Sequence, residues 1–158
     1  MQSGYRVVAI GHVERTGEQT EPGQFFDPSV VSEIVIDPEW EPALAGLEDY
    51  SHLHVLFWLD RAERPSEPPP PRPAEGRETL PPVGLFATRT PRRPNPIGLA
   101  VVRLVRRDGN RLRVIGLDAW DGTPVLDLKG YTRRDDIRED VTHPEWLERL
   151  WKLHDQER

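Results

Sequence analysis

The chain has 158 residues, a formal net charge of −6 and no cysteine. That length fits one domain with a real core, and the missing cysteine excludes disulfides, thiolate metal sites and cysteine nucleophiles. No apolar run approaches the ~20 residues of a membrane-crossing helix. Met1-Gln2-Ser3-Gly4-Tyr5-Arg6 lacks the basic start and apolar block of a secretion signal, so a cytoplasmic protein without a membrane span is expected.

In chain order, residues 5–13 (Tyr-Arg-Val-Val-Ala-Ile-Gly-His-Val) read as a strand rich in β-branched residues. Residues 14–24, with Gly17, Pro22 and Gly23, read as a loop. A second strand covers 30–36 and is closed by Asp37-Pro38. One helical turn fits 39–46 over Trp40 and Leu44. Residues 52–59 (His-Leu-His-Val-Leu-Phe-Trp-Leu) look like a strand buried on both faces. Residues 63–82 are proline-rich, and proline both fixes φ and removes a backbone donor. An exposed, mobile polyproline-type excursion is expected there.

Short strands follow at 83–88 and 98–106. The second pairs with 111–118 across the turn signal Arg107-Asp108-Gly109-Asn110. A last strand lies near 123–129. The C-terminus, about 143–157, reads as a helix with Thr142 as cap, Pro144 in the first turn and Glu145 completing a capping box. Trp146, Leu147, Leu150, Trp151 and His154 fall on one face of it, suited to packing on a sheet or a second subunit. Many short strands with one terminal helix predict a mainly β protein, a barrel or rolled sheet, in a single domain over 1–158.

Charge is distributed unevenly. Residues 1–60 carry −9 and residues 117–158 carry −4, whereas 86–116 carry +7, every cation an arginine. The acidic whole argues against general coating of nucleic acid, yet the arginine block suits local phosphate contacts. For Arg103, Arg106, Arg107, Arg111 and Arg113 a solvated strand face is an equal reading.

Three segments carry chemical potential. Residues 84–99 set Arg89, Arg92 and Arg93 among Pro91, Pro94 and Pro96, with Asn95 between two prolines. Prolines stiffen such a loop before a ligand arrives, and fixed arginines suit a carboxylate or phosphate. Residues 117–131 contain the turn Asp121-Gly122-Thr123-Pro124, followed by Asp127 and Lys129 two apart on a strand. That charged pair forms either a salt bridge closing a barrel or a polar site. In Gly46-Leu-Glu-Asp-Tyr-Ser-His52, His52 is either a general base or a strand anchor through Ser51 and Asp49. His12, His54 and His143 have no partners at metal-ligand spacing, so no metal site is expected. Walker A, G-x-S-x-G and G-x-G-x-x-G patterns are absent from the sequence.

Gly84-Leu-Phe-Ala-Thr-Arg-Thr-Pro-Arg-Arg-Pro-Asn-Pro-Ile-Gly-Leu99 resembles the long signature of the TsaA-like (YaeB, TrmO) family. Leu117-Asp-Ala-Trp-Asp-Gly-Thr-Pro-Val-Leu-Asp-Leu-Lys129 resembles its second signature, and Gly46-Leu-Glu-Asp-Tyr-Ser-His-Leu53 its third. Ile10-Gly-His-Val13 fits its first strand. The resemblance spans about 5–131. It implies a TsaA-like β-barrel and S-adenosylmethionine-dependent methylation at N6 of threonylcarbamoyladenosine-37 in tRNA. It also implies a homodimer with the cofactor near the subunit interface.

Carried over residue by residue, the resemblance puts cofactor contacts on Pro22, Gly23, Gln24, Arg89, Pro94, Asn95, Leu99, Asp121, Gly122, Thr123 and Pro124. Asp121 and His52 are its candidate proton acceptors. Arg92, Arg93, Asp127 and Lys129 are its candidate substrate contacts. A methyltransferase of the same fold with a small metabolite or peptide acceptor, or a non-catalytic cofactor-binding module, are the alternative readings.

Overall fold

The computed structural model describes residues 4–15 and 27–157. Six strands close into an antiparallel barrel: β1 (Gly11–Arg15), β2 (Val31–Ile36), β3 (His52–Trp58), β6 (Ile97–Asp108), β7 (Arg111–Ile115) and β8 (Pro124–Gly130). Around the barrel the order is β1-β2-β7-β6-β3-β8. It closes where Gly11 and His12 of β1 meet Val125 and Pro124 of β8. Closure leaves no unpaired edge in the barrel.

Alternation along the strands fills the interior. Val13, Ile34, Ile36, Leu53, Val55, Phe57, Val102, Leu104, Leu112, Val114 and Val125 are all buried. Each such side chain contributes roughly 1.5–3 kcal/mol on leaving water. β3 buries only its odd-numbered residues: His52 is exposed, and His54, Leu56 and Trp58 are part-buried on the outer face. The expectation of burial on both faces fails because the barrel wall is one sheet thick there. β1 begins at Gly11, not residue 5, since strand pairing starts only where β2 and β8 lie alongside.

The β6–β7 hairpin turns at Gly109-Asn110 as the sequence indicates. Gly109 takes φ +59°, and the Asn110 amide donates to the Ile36 carbonyl. The expected strand at 83–88 is instead the two-residue β5 (Pro82–Val83) followed by a 3-10 turn over Leu85–Ala87. The helical turn after β2 is a 3-10 helix, Pro38–Leu44, which buries Leu44.

The chain divides into two compact units. One holds Met1–Arg61 and Pro96–Asp136, the barrel with the short helix α1 (Arg133–Asp136). The other holds Ala62–Asn95 and Ile137–Arg158. Within this second unit the proline-rich segment pairs β4 (Arg72–Pro73) with β5 and buries Ala74 and Leu80 against Leu150 of helix α2 (Glu145–Gln156). The Arg77 guanidinium grips the Glu157 carboxylate through two bonds of 2.8 and 2.7 Å, which holds that carboxyl below its usual range. The apolar face of α2 thus packs on the proline-rich segment of its own unit, with Trp146 and Leu147 around it. Pro144 occupies the N-cap position and makes no side-chain cap bond, which corrects the capping expected from Thr142.

Candidate functional site

The turn at Asp121-Gly122 is built into the barrel wall. Gly122 takes φ +80°, a value that favours glycine, and its N–H donates to the Val13 carbonyl at 2.8 Å. The Val13 N–H donates in return to the Thr123 carbonyl at 2.9 Å. The Asp121 Oδ1 accepts the Arg15 N–H at 3.0 Å. Arg61 donates from Nη2 to the Asp121 carbonyl at 3.1 Å, and its guanidinium lies 5.1 Å from the Trp120 ring centroid. Thr123 is buried and anchors the turn, whereas Asp121 and Gly122 are exposed.

Among the described residues nothing lies within 4 Å of where a Gly122 Cβ would project, and no hydrogen bond to the second Asp121 carboxylate oxygen occurs. Close by in sequence, partial burial pushes the Asp118 carboxyl above its usual range, the Arg15 charge working against it. Arg15 and Arg61 carry no motif of their own, and Asp118, though inside the second signature, has no role that its sequence position announces. Only their hydrogen bonds or electrostatics at the turn reveal them.

The outer face of β6-β3-β8 gathers other predicted residues. Leu99 pairs with Leu56, and Leu56 pairs with Asp127, so the three form one row across three strands. Val101, His54 and Lys129 form the next row. Lys129 Nζ sits 2.7 Å from Asp127 Oδ2. A register shift in the β3–β8 pairing, between Leu56 and Phe57, keeps Val125 inside while Asp127 turns outside. The salt bridge is present, and it lies on the outer surface where both partners meet water.

Asp121 and His52 do not share a neighbourhood. Asp121 precedes β8 at the end of the barrel where Val125 pairs with Phe57, while His52 opens β3 at the end that Gly130 reaches. β3 spans the distance between these ends, ~20 Å at ~3.3 Å per residue. His52 Nδ1 is 2.9 Å from Ser51 Oγ, the local anchoring that was the alternative reading.

The loop arginines lie in the second unit. Arg93 is turned back into its own loop. Its Nη1 donates to the Thr88 and Thr90 carbonyls at 2.9 and 3.3 Å, and its guanidinium stands over Phe86. Arg92 pairs with Glu63 at 2.6 Å. Arg89 is exposed and, among the described residues, carries no ion pair or side-chain hydrogen bond, and Pro94 and Asn95 are exposed beside it in sequence. The loop is therefore stiffened by its prolines and by Arg93. Pro22, Gly23 and Gln24 lie outside the described residues. Among the described residues no cluster of three or more potential metal ligands occurs, and no helix is long and apolar enough to cross a membrane.

Fold and turn together define a small closed-barrel protein with a rigid Asp-Gly turn at one rim. The chain belongs to the tRNA-methyltransferase O N-terminal domain family, whose model matches residues 14–137. A probable S-adenosyl-L-methionine-binding protein of Archaeoglobus fulgidus is 53% identical over 110 residues, which cover 70% of this chain and 28% of that protein. A second S-adenosyl-L-methionine-binding protein of that organism is 45% identical over 70% of this chain and 74% of its own length. The human tRNA (adenine(37)-N6)-methyltransferase is 38% identical over 66% of this chain and 23% of its own. A crystal structure of TrmO from Pseudomonas aeruginosa superposes with a TM-score of 0.69 at 31% identity, covering 90% of this chain and 62% of that one. The chain thus spans from about a quarter to three quarters of the length of these proteins.

Proposed function

We propose that this chain is an S-adenosylmethionine-dependent methyltransferase acting on N6 of adenosine-37 in tRNA, with the threonylcarbamoyl form as its acceptor. The observation that carries the reading is the family match across 14–137, which takes in five of the six barrel strands whole, the end of β1, and the Asp121-Gly122 turn. The human relative's name gives the reaction, and those of the archaeal relatives give the cofactor. A cytoplasmic setting follows from that substrate.

The donors of each unit, taken separately, fit parts of the cofactor. The exposed, unpaired Arg89 suits a carboxylate. Asp121, with one oxygen held by the Arg15 N–H, suits a ribose diol. The open space over Gly122 admits a flat base close to the backbone. Pro94, Asn95, Leu99, Thr123 and Pro124 complete the proposed contacts. When bound, the cofactor supplies an electrophilic methyl group on a sulfonium. The residues of the chain supply placement and exclusion of water, since the transfer is an in-line displacement. Taking the N6 proton is the alternative role for the second Asp121 oxygen, in place of the ribose diol. His52, at the far end of β3, is not given that role.

The proposed assembly is a homodimer, supported by the apolar stripe Ile97, Leu99 and Val101 exposed on the outer face of β6. A second reading, a cofactor-binding module without turnover, is favoured by the archaeal relatives that are named only as binding proteins. Calorimetry with S-adenosylmethionine tests the cofactor site. Arg89→Ala should lower affinity at least tenfold, and unchanged affinity removes Arg89 from the site. Transfer of a labelled methyl group to tRNA then separates the enzyme from the binding module.

A further inference from the structure

The loop arginines expected to meet phosphate are already engaged, Arg92 with Glu63 and Arg93 with the Thr88 and Thr90 carbonyls. On the barrel the sorting is different. Arg111 is held by Glu33 at 2.8 Å and by Glu14, Arg113 lies 3.7 Å from Glu33, and Arg107 is held by Glu48 at 3.0 Å. Arg103, Arg106, Arg133 and Arg134 are exposed, and among the described residues none of them has an ion pair or a side-chain hydrogen bond.

These four gather at the end of the barrel opposite the Asp121 turn. Arg103 pairs across the sheet with His52 on one side and Ile115 on the other. The register shift between Leu104 and Arg106 brings Arg106 opposite Arg113, on the same outer face as Arg103. Without that shift, residues three apart on a strand would point to opposite faces. The Tyr131 N–H donates to the His52 carbonyl at 3.0 Å, which brings the start of α1 beside β3.

The acids beside Arg133 and Arg134 in α1 have hydrogen-bond partners of their own. Asp136 accepts the Thr132 N–H at 2.6 Å and meets His54 Nε2 at 2.8 Å, and Asp135 accepts the Thr132 hydroxyl at 2.8 Å. Glu48 is occupied by Arg107, while Asp49 and Asp108 adjoin that pair in sequence. Between the arginines stand rings. Tyr131 lies 6.2 Å from His52 and 5.3 Å from His54, tilted against both.

We propose that this end of the barrel, with Arg103, Arg106, Arg133 and Arg134 around the His52 and Tyr131 rings, is a docking surface for the RNA backbone. The inference rests on the tRNA reading above and extends it to a face distinct from the Asp121 turn. Unpaired guanidiniums are the groups that meet phosphates without first breaking an ion pair. Rings set among them offer a stacking platform for an unpaired base. The overall charge of −6 makes such a local patch the place where RNA can be held despite long-range repulsion.

The test measures tRNA affinity by fluorescence anisotropy across a salt series, for the full chain and for the variant Arg103→Gln/Arg106→Gln/Arg133→Gln/Arg134→Gln. A control variant carries Arg72→Gln/Lys152→Gln. Circular dichroism and calorimetry with S-adenosylmethionine accompany each. The fourfold variant should keep its fold and cofactor affinity, lose tRNA affinity by at least tenfold, and shed about three units of salt slope, at ~0.7–0.9 per phosphate contact. The control should match the parent. If the fourfold variant misfolds, the pairs Arg103→Gln/Arg106→Gln and Arg133→Gln/Arg134→Gln are read separately by the same criteria. A parent that binds and methylates tRNA while the variant binds it equally well overturns this surface and leaves the methyltransferase reading standing. A parent with no affinity for tRNA overturns both. Polyglutamate that displaces tRNA as well as unlabelled tRNA does would assign the face to an acidic protein, and that too overturns the proposal.

Discussion

Gly98 faces Phe57 across the β3–β6 pair, and a Cβ there would lie 2.3 Å from the ring. Phe57 is buried and closed in by the core, so the ring has no free direction to move. Gly98→Ala should therefore destabilise the chain by about 1–3 kcal/mol through overpacking, read as a lower midpoint in denaturant. An unchanged midpoint would show that Phe57 repacks freely. Gly122 is the contrasting case. Its surroundings are open, and only its positive φ resists substitution. One glycine makes room for a core ring, and the other shapes a turn at the rim.

Among the elements, the outer faces of the barrel divide by chemistry. β1, β2 and β7 carry Glu14 and Glu33 set against Arg111 and Arg113, which leaves a neutralised surface. β6 instead exposes Ile97 at 41%, Leu99 at 62% and Val101 at 47%. If a second copy covers that stripe, the full chain should run at twice its mass in light scattering, and Leu99→Arg/Val101→Arg should run as a monomer. A monomeric parent at micromolar concentration would remove the dimer.

The elements also show where sequence was informative. β2 and β8 were legible because β-branched and alternating residues announce a strand, β3 was legible as a strand though its apolar run hid which face meets water, and Gly109-Asn110 announced its hairpin. β5 and the Leu85–Ala87 turn were not, since apolar residues among prolines fit a strand or a tight turn equally well. The residues of the Asp121 turn were legible from their resemblance to a family signature. Their support from Arg15 and Arg61 was not, because those bonds join positions 106 and 60 residues apart. The separation of His52 from Asp121 was hidden for the same reason, since it follows from β3–β8 pairing and not from any local pattern.

At the scale of the whole molecule, the barrel displays two chemically different ends. The Asp121 end presents a rigid turn over open space, and the His52 end presents unpaired arginines around rings. Such a layout suits an RNA held at one end while chemistry proceeds at the other, and it gives separable losses on mutation. The most direct test of the central claim is mass spectrometry of nucleosides from tRNA of a strain lacking its own adenosine-37 N6-methyltransferase, with and without this chain expressed. The account predicts that the N6-methyl mark on threonylcarbamoyladenosine appears with the parent chain and fails with Arg89→Ala. A strain that expresses folded, cofactor-binding parent chain and gains no methyl mark on its tRNA would contradict it.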